Sequence, residues 1–217
     1  MHDEDFYSLT TLGSATGLAL DIGANSGQSA ISILAIKPEF QVVCFEPNPS
    51  CLPPLQLNAR LFRSRVRVIH AGAGDAEGEL PFYVPVRNGR SLLEEGTFNR
   101  SELGHSEYRI GREGVDYQVS TIQCPVMRVD DLNLEPVFVK IDVQGYEVDV
   151  LRGMSSTIER ARPLILIEDG VTTSEVLELL TPLGYVQKYW DGAGLTDRNI
   201  RNSGNFLMCP LPGAPKQ

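Results

Sequence analysis

Two segments carry residues whose types and spacing can do chemistry. The first, Leu18-Ala19-Leu20-Asp21-Ile22-Gly23-Ala24-Asn25-Ser26-Gly27, is an apolar run that ends in a carboxylate and then a glycine-punctuated loop ahead of a helical pattern. Gly23 and Gly27 let backbone approach a ligand closely, and the helix that follows offers N–H groups with no intrahelical partner. The second segment, Val137 to Glu147 (V-F-V-K-I-D-V-Q-G-Y-E), is another apolar run ending in charge at a turn. Acids at two strand ends on one sheet edge are where a doubly wound fold brings a cofactor and an acceptor together.

The ligand chemistry follows from the residue types. The dinucleotide fingerprint G-x-G-x-x-G needs glycine at its middle position, and Asn25 stands there. Asp21, directly before the loop, repels a pyrophosphate and suits a cationic ligand with a free amino group. S-adenosylmethionine has a sulfonium, an ammonium and no phosphate. Glu46, followed by Pro47 and Asn48, ends the next strand, placed to accept both ribose hydroxyls. That carboxylate fits either cofactor, so Asp21 and the missing glycine discriminate. The bland alternative, turn glycines beside a solvated strand end, explains neither the spacing of Glu46-Pro47-Asn48 nor the later strand ends. The expected cofactor residues are therefore Asp21, Gly23, Asn25, Gly27, Glu46, Pro47 and Asn48.

A hydroxyl acceptor is a weak nucleophile and gains from a base. Asp142 is the first candidate. Lys140, two residues earlier on the same strand face, holds it ionised or orients the acceptor oxygen. Glu168, closing the next strand, is the second carboxylate. Strand-end acids also cap helices, so both retain a structural alternative. Asp142, Glu168 and Asp169 would suit a hydrated magnesium ion, but nothing in the pattern requires one, and no metal is expected. His70 reads as a satisfied, partly buried strand-end side chain, His105 as a loop histidine that is either solvated or swung over the acceptor as a base, and Glu147 as a favourable charge at a helix start.

The elements that must position these groups read as follows. Strands are expected at Leu18–Asp21, Gln41–Glu46, Val66–His70, Val137–Asp142, Pro163–Glu168, Tyr185–Tyr189 and Asn205–Cys209. Helices are expected at Gln28–Ile36 (capped by Ser26), from Pro53 to about Leu61, at Glu147–Met154 and at Ser174–Leu183. This βαβ rhythm specifies a parallel sheet with right-handed crossovers. The polar loop before Asn205 is too poor in apolar periodicity for a crossover helix, so the last strand is expected to be antiparallel. Leu80–Val84 and Val119–Val129 read as a strand pair flanking Arg87–Asp116. That polar stretch is expected to be a flexible insertion forming a flap over the acceptor through Phe98, Tyr108 or His105, the alternative being a solvated insertion or an oligomer contact. Residues Pro210–Gln217 read as a loose tail, and the whole of 1–217 as one domain.

The formal net charge of −9 argues against a nucleic-acid partner, since phosphate contacts need clustered Lys and Arg. The four cysteines have no C-x-x-C spacing, which points to a reducing, cytoplasmic compartment. The acidic N-terminus has no apolar core of a signal peptide, and no run approaches membrane-spanning length.

Several of these motifs together resemble one family. Asp21 to Gly27 (D-I-G-A-N-S-G), Phe45 to Pro49 (F-E-P-N-P), Asn58, Ala73 with Gly78, Arg128 to Leu132 (R-V-D-D-L), Lys140 to Glu147, Leu151 to Gly153 and Ile165 to Glu168 are similar in order and spacing to the FkbM-type methyltransferases. The resemblance runs from about Leu18 to Glu168. It implies an α/β, doubly wound, Rossmann-like class I methyltransferase sheet. It also implies S-adenosylmethionine as cofactor and O-methylation of a hydroxyl on a sugar or secondary metabolite, so that the partner is a small-molecule or glycan hydroxyl acceptor. Gln144 departs from the pattern, because many members carry an acid there, and this weakens a catalytic role for that position. The competing readings are an N-methyltransferase and a non-catalytic, cofactor-binding module of the same fold.

Overall fold

The computed structural model describes residues 3–103 and 118–212. A 3-10 helix, Glu4–Thr11, leads into β1 (Thr16–Ile22), α1 (Gln28–Ile36), β2 (Glu39–Phe45), α2 (Leu52–Leu61) and β3 (Val66–Ile69). Next come β4 (Gly72–Ala73), β5 (Gly78–Arg87), β6 (Arg90–Ser91) and β7 (Gln118–Met127). The chain continues through β8 (Pro136–Ile141), α3 (Glu147–Arg152), α4 (Ser155–Ala161), β9 (Leu164–Glu168), α5 (Thr173–Leu180), β10 (Tyr185–Trp190), β11 (Leu195–Thr196) and β12 (Asn205–Pro210).

The main sheet has the order β11-β10-β12-β9-β8-β1-β2-β3. Strands β3, β2, β1, β8 and β9 are mutually parallel. β12 is antiparallel to both its neighbours, β9 and β10. This is the doubly wound sheet with an antiparallel last strand that the sequence specifies. Both faces of the sheet are covered, which is why its central strands are apolar at consecutive positions rather than alternate ones. One face, with Leu20, Phe45, Ile141 and Ile167, packs on Val150 and Met154 from the α3–α4 region and on Val176 of α5. The other, with Ala19, Val42, Phe138 and Leu166, packs on Ile33, Leu55 and, from the N-terminal turn, Phe6 and Leu9.

Several local expectations need correction. Ser26 does not cap α1: the N-cap is Gly27 at φ 92, with no side-chain cap bond, and Ser26 Oγ donates to Asn25 Oδ1 at 2.9 Å. The helix expected at Glu147–Met154 stops at Arg152, and α4 begins anew at Ser155. Its free N–H groups are capped from a distance by Asp130, which accepts from Ser156 N at 3.1 Å and Thr157 N at 2.8 Å. Pro210 is not tail but the end of β12, opposite Tyr185. The remaining tail residues, 213–217, lie outside the described residues.

β5 and β7 pair antiparallel from Gly78↔Val126 to Val86↔Gln118, inside a second sheet of order β4-β7-β5-β6. Within residues 87–103, β6 pairs back on β5 with residues 88–91 exposed, and the following segment packs on the second sheet. Thr97 bridges back to Tyr83, and Phe98 lies edge-on to Phe82 with ring centroids 4.9 Å apart. Phe98 also sits 5.3 Å from the Tyr146 ring. His105, Tyr108 and the rest of the expected insertion fall outside the described residues.

Two close contacts fix the frame around the site. A Cβ on Gly153 would lie 1.7 Å from the Gly74 carbonyl oxygen, backbone against backbone, where α3 ends beside the second sheet. Gly153→Ala is therefore expected to lower stability by about 1–3 kcal/mol, read as an earlier urea midpoint. In the main sheet, Asp21 and Lys140 are register partners across β1 and β8, and both side chains are buried. Lys140→Met strands Asp21 in the core without its cation. The expected loss is about 3–5 kcal/mol, partly recovered by adding Asp21→Asn, because removing one member of a buried ion pair costs more than removing both.

Candidate functional site

The C-terminal ends of β1, β2, β8 and β9 surround a cavity of about 260 Å³. Its lining includes Gly23, Asn25, Glu46 and Pro47 on one side and Lys140, Asp142, Gln144 and Glu168 on another. Phe82, Glu94, Phe98 and Tyr146 line it as well. Four of the seven expected cofactor residues thus reach the cavity, and all three expected catalytic residues do. Asp21, Gly27 and Asn48 stand behind its wall.

The glycine loop is shaped by the neighbouring strand rather than by an empty groove. Gly23 has φ 78, and a Cβ there would come within 1.9 Å of the Asp142 carbonyl oxygen. Asp142 N donates to Ile22 O at 3.1 Å, and Gly23 N and Ala24 N both donate to Phe45 O, so three strand ends converge here. Gly27 closes the loop against α2. Leu55 and Asn58 crowd its missing Cβ, and Asn58 Nδ2 donates to Ser26 O at 2.7 Å.

Glu46 joins that loop to β2. Its Oε2 accepts from Asn25 N at 2.7 Å and its Oε1 from Asn48 N at 2.8 Å. Each oxygen keeps a second lone pair. Burial pushes the Glu46 carboxyl up to about 7, against the pull of those two N–H groups. Asn48 forms a turn, its Oδ1 accepting from Ser50 N. His70 is exposed rather than partly buried as expected, because it stands at the open end of β3, and its Nε2 lies 3.1 Å from the Pro47 carbonyl.

Lys140 is almost wholly buried. Its Nζ donates to Gly23 O at 2.8 Å and lies 3.3 Å from Asp142 and 3.5 Å from Asp21. Burial disfavours its charge, but the two carboxylates outweigh that and hold its pKa above the ordinary lysine value. Asp142 shows the mirror image. Burial pushes its carboxyl up, yet the Lys140 charge and hydrogen bonds from Gln144 and Glu168 hold it below the usual range. Asp142 is therefore held ionised at the cavity wall, with about a third of its side chain open.

Gln144, which sequence reasoning set aside, lies at the centre of this group. Its Nε2 donates to Asp142 Oδ1 at 2.9 Å and to Glu168 Oε2 at 2.6 Å. The β5–β7 excursion reaches the same turn: Thr97 Oγ1 donates to Gln144 O at 2.7 Å and Asn99 Nδ2 to Gly145 O at 3.1 Å. Glu147 is structural, as expected, though not through helix charge alone. It is buried and accepts from Gly145 N and Thr172 Oγ1. Asp169 accepts from Thr173 Oγ1 at the start of α5. Among the described residues no group of three or more His, Cys, Asp or Glu is arranged to hold a metal ion, and no helix is long and apolar enough to cross a membrane.

Comparison with known proteins gives the family. Residues 21–186 match the methyltransferase FkbM domain. The chain is 30% identical over 186 residues to the 2-O-methyltransferase NoeI of Sinorhizobium fredii, covering 78% of this chain and 73% of that one. It is 26% identical to the hexuronic acid methyltransferase AglP of Haloferax volcanii, covering 74% of this chain and 60% of that one. The crystal structure of a methyltransferase FkbM from Methylobacillus flagellatus superposes with a TM-score of 0.59 at 19% identity. That match covers 91% of this chain but only 44% of the solved one, so the chain spans less than half of that protein. With most of its length inside the family's domain, this chain belongs to the FkbM family of methyltransferases.

Proposed function

We propose that the chain is an S-adenosylmethionine-dependent O-methyltransferase acting on a hydroxyl of a sugar or secondary metabolite. The observation that carries this reading is the pairing, in one cavity, of a buried strand-end carboxylate, Glu46, with an ionised carboxylate, Asp142, held by Lys140. The names of two relatives, a 2-O-methyltransferase and a hexuronic acid methyltransferase, support a sugar hydroxyl as acceptor.

The residues present fit the cofactor. The lone pairs left on Glu46 can accept a ribose diol, and the carboxylates around the loop suit a cationic ligand and repel a phosphate. When bound, S-adenosylmethionine supplies a methyl group on an electron-poor sulfonium. Glu46, with the Gly23 and Asn25 backbone, holds the ribose end. Asp142 takes the hydroxyl proton, and Lys140 keeps that carboxylate ionised and fixed. Phe98 and Tyr146 offer flat apolar surface to an acceptor ring.

Three outcomes follow. Labelled S-adenosylmethionine incubated with a cell extract is expected to transfer its methyl group to a small acceptor; binding with no turnover would instead favour a non-catalytic module. Asp142→Asn is expected to slow transfer by roughly 100- to 10,000-fold while S-adenosylhomocysteine still binds. The Glu46 carboxyl, raised to about 7, must be ionised to accept both ribose hydroxyls. Calorimetric affinity for S-adenosylhomocysteine is thus expected to fall below about pH 7, by at most about ten-fold per pH unit. In Glu46→Gln the affinity should be weaker and this slope absent; affinity that rises on acidification would overturn the assignment.

A further inference from the structure

Gln144 combines four features that no helix or sheet requires. Its backbone is left-handed, at φ 53, a conformation disfavoured for a residue with a side chain. Its carbonyl is pinned by Thr97, and the next peptide by Asn99 and Glu147. Its side-chain nitrogen faces two carboxyl groups at 2.9 and 2.6 Å, so both amide hydrogens are committed. In this orientation the amide donates to both carboxyls, whereas its carbonyl would repel the ionised one. Those two carboxyls, on Asp142 and Glu168, are also within hydrogen-bonding reach of each other.

A hydrogen bond between two carboxyls needs one proton, and charge decides which partner carries it. The groups facing Asp142 come from three strands: Lys140 on β8, Asp21 behind it on β1, and Glu168 on β9. The Lys140 ammonium sits 3.3 Å from Asp142 Oδ2. It therefore favours the negative charge on Asp142 and the proton on Glu168. Glu46 lines the same cavity from the end of β2.

We infer that Gln144 is a positioning residue whose amide clamps Asp142 and Glu168 into a carboxyl pair sharing one proton, with Asp142 as the proton acceptor turned to the cavity. The consequence for transfer rests on the O-methyltransferase reading above. As the acceptor oxygen bonds to the methyl carbon, the carbon–sulfur bond breaks and its electron pair stays on sulfur. The hydroxyl proton passes to Asp142, and the pair, now holding two protons, returns one to solvent when product leaves. The amide contributes no proton to this step. It keeps the two carboxyls at one spacing whether they hold one proton or two.

The test follows the carboxyls directly, by carbon-13 NMR of protein labelled at the Asp and Glu carboxyl carbons. In the wild-type protein Asp142 is expected to stay ionised into the acid range while Glu168 keeps the shared proton. Gln144→Met, of similar length but with no donor, should raise the Asp142 midpoint by at least one pH unit, a ten-fold gain in proton affinity. Gln144→Glu, which adds a third carboxyl, should raise it further. In both variants S-adenosylhomocysteine should bind within about three-fold of wild type, and the acid limb of the transfer profile should move with the Asp142 midpoint. A purely structural role would shift the unfolding midpoint and leave the titration alone. An unmoved Asp142 titration in both variants, or a shared proton resident on Asp142, overturns the inference. If the titrations shift as expected but the wild-type enzyme methylates nothing, the clamp stands and the transferase reading fails.

Discussion

Everything at the C-terminal edge of this sheet depends on one buried ammonium. Lys140 Nζ is shared among Asp21 on the neighbouring strand, Asp142 two residues along its own strand, and the Gly23 carbonyl. An ammonium has three N–H bonds, and here each has a direction to serve. A charge so buried is tolerated only because it is surrounded by opposite charge and a carbonyl. The same contacts bridge the ends of β1 and β8, whose spacing the backbone ladder sets. At that distance the loop after β1 passes directly beneath the Asp142 carbonyl, which leaves no room for a side chain at Gly23. Fold and site are therefore one constraint at this point. The interaction that joins the two central strands also holds Asp142 ionised and shapes the loop.

The second sheet extends the constraint outward. β5 and β7 carry the excursion past the turn after β8, and Thr97 and Asn99 bind the backbone of that turn. Phe98 stacks between Phe82 and Tyr146, filling the space left by Gly72, where a Cβ would fall 2.5 Å from its ring. The aromatic wall of the cavity and the carboxyl pair are thus tied through backbone hydrogen bonds to one turn. Such a turn supports a strained residue like Gln144, because the surroundings determine its conformation more strongly than its own preference does.

Much of this was legible in the sequence, and the reasons are specific. The central strands of the main sheet announced themselves because burial on both faces demands uninterrupted apolar residues, and the strand-end acids Asp21, Glu46, Asp142 and Glu168 followed from their positions, whereas the short edge strand β11 was not read. What stayed hidden depends on partners far away in the chain. The break between α3 and α4 is not written in a local cap, since the capping carboxylate is Asp130. The polar composition of residues 87–103 reads as a loose loop, but a few residues, Thr97, Phe98 and Asn99, anchor it across the cavity. Gln144 looked like a lost acid when read by type alone. Only its two distances show an amide between carboxyls, a role that residue type does not encode.

The two carboxylates of the cavity show how environment divides labour between identical groups. Glu46 and Asp142 are both strand-end acids held against polar backbone, yet their proton affinities move in opposite directions. For Glu46 the dominant influence is burial, and two backbone N–H groups offset it only in part, so its pKa rises to about 7. For Asp142 burial acts the same way, but a full positive charge at 3.3 Å and two side-chain hydrogen bonds reverse the outcome. The difference lies in which acid faces the lysine. A carboxyl poised near neutrality changes charge within the physiological range, whereas one held by the lysine stays ionised throughout it. Had Lys140 projected from the end of β2, the two roles would invert, with Glu46 held ionised and Asp142 left to burial. The placement of one cation on β8 is thus sufficient to assign the two ends of the cavity different chemistry.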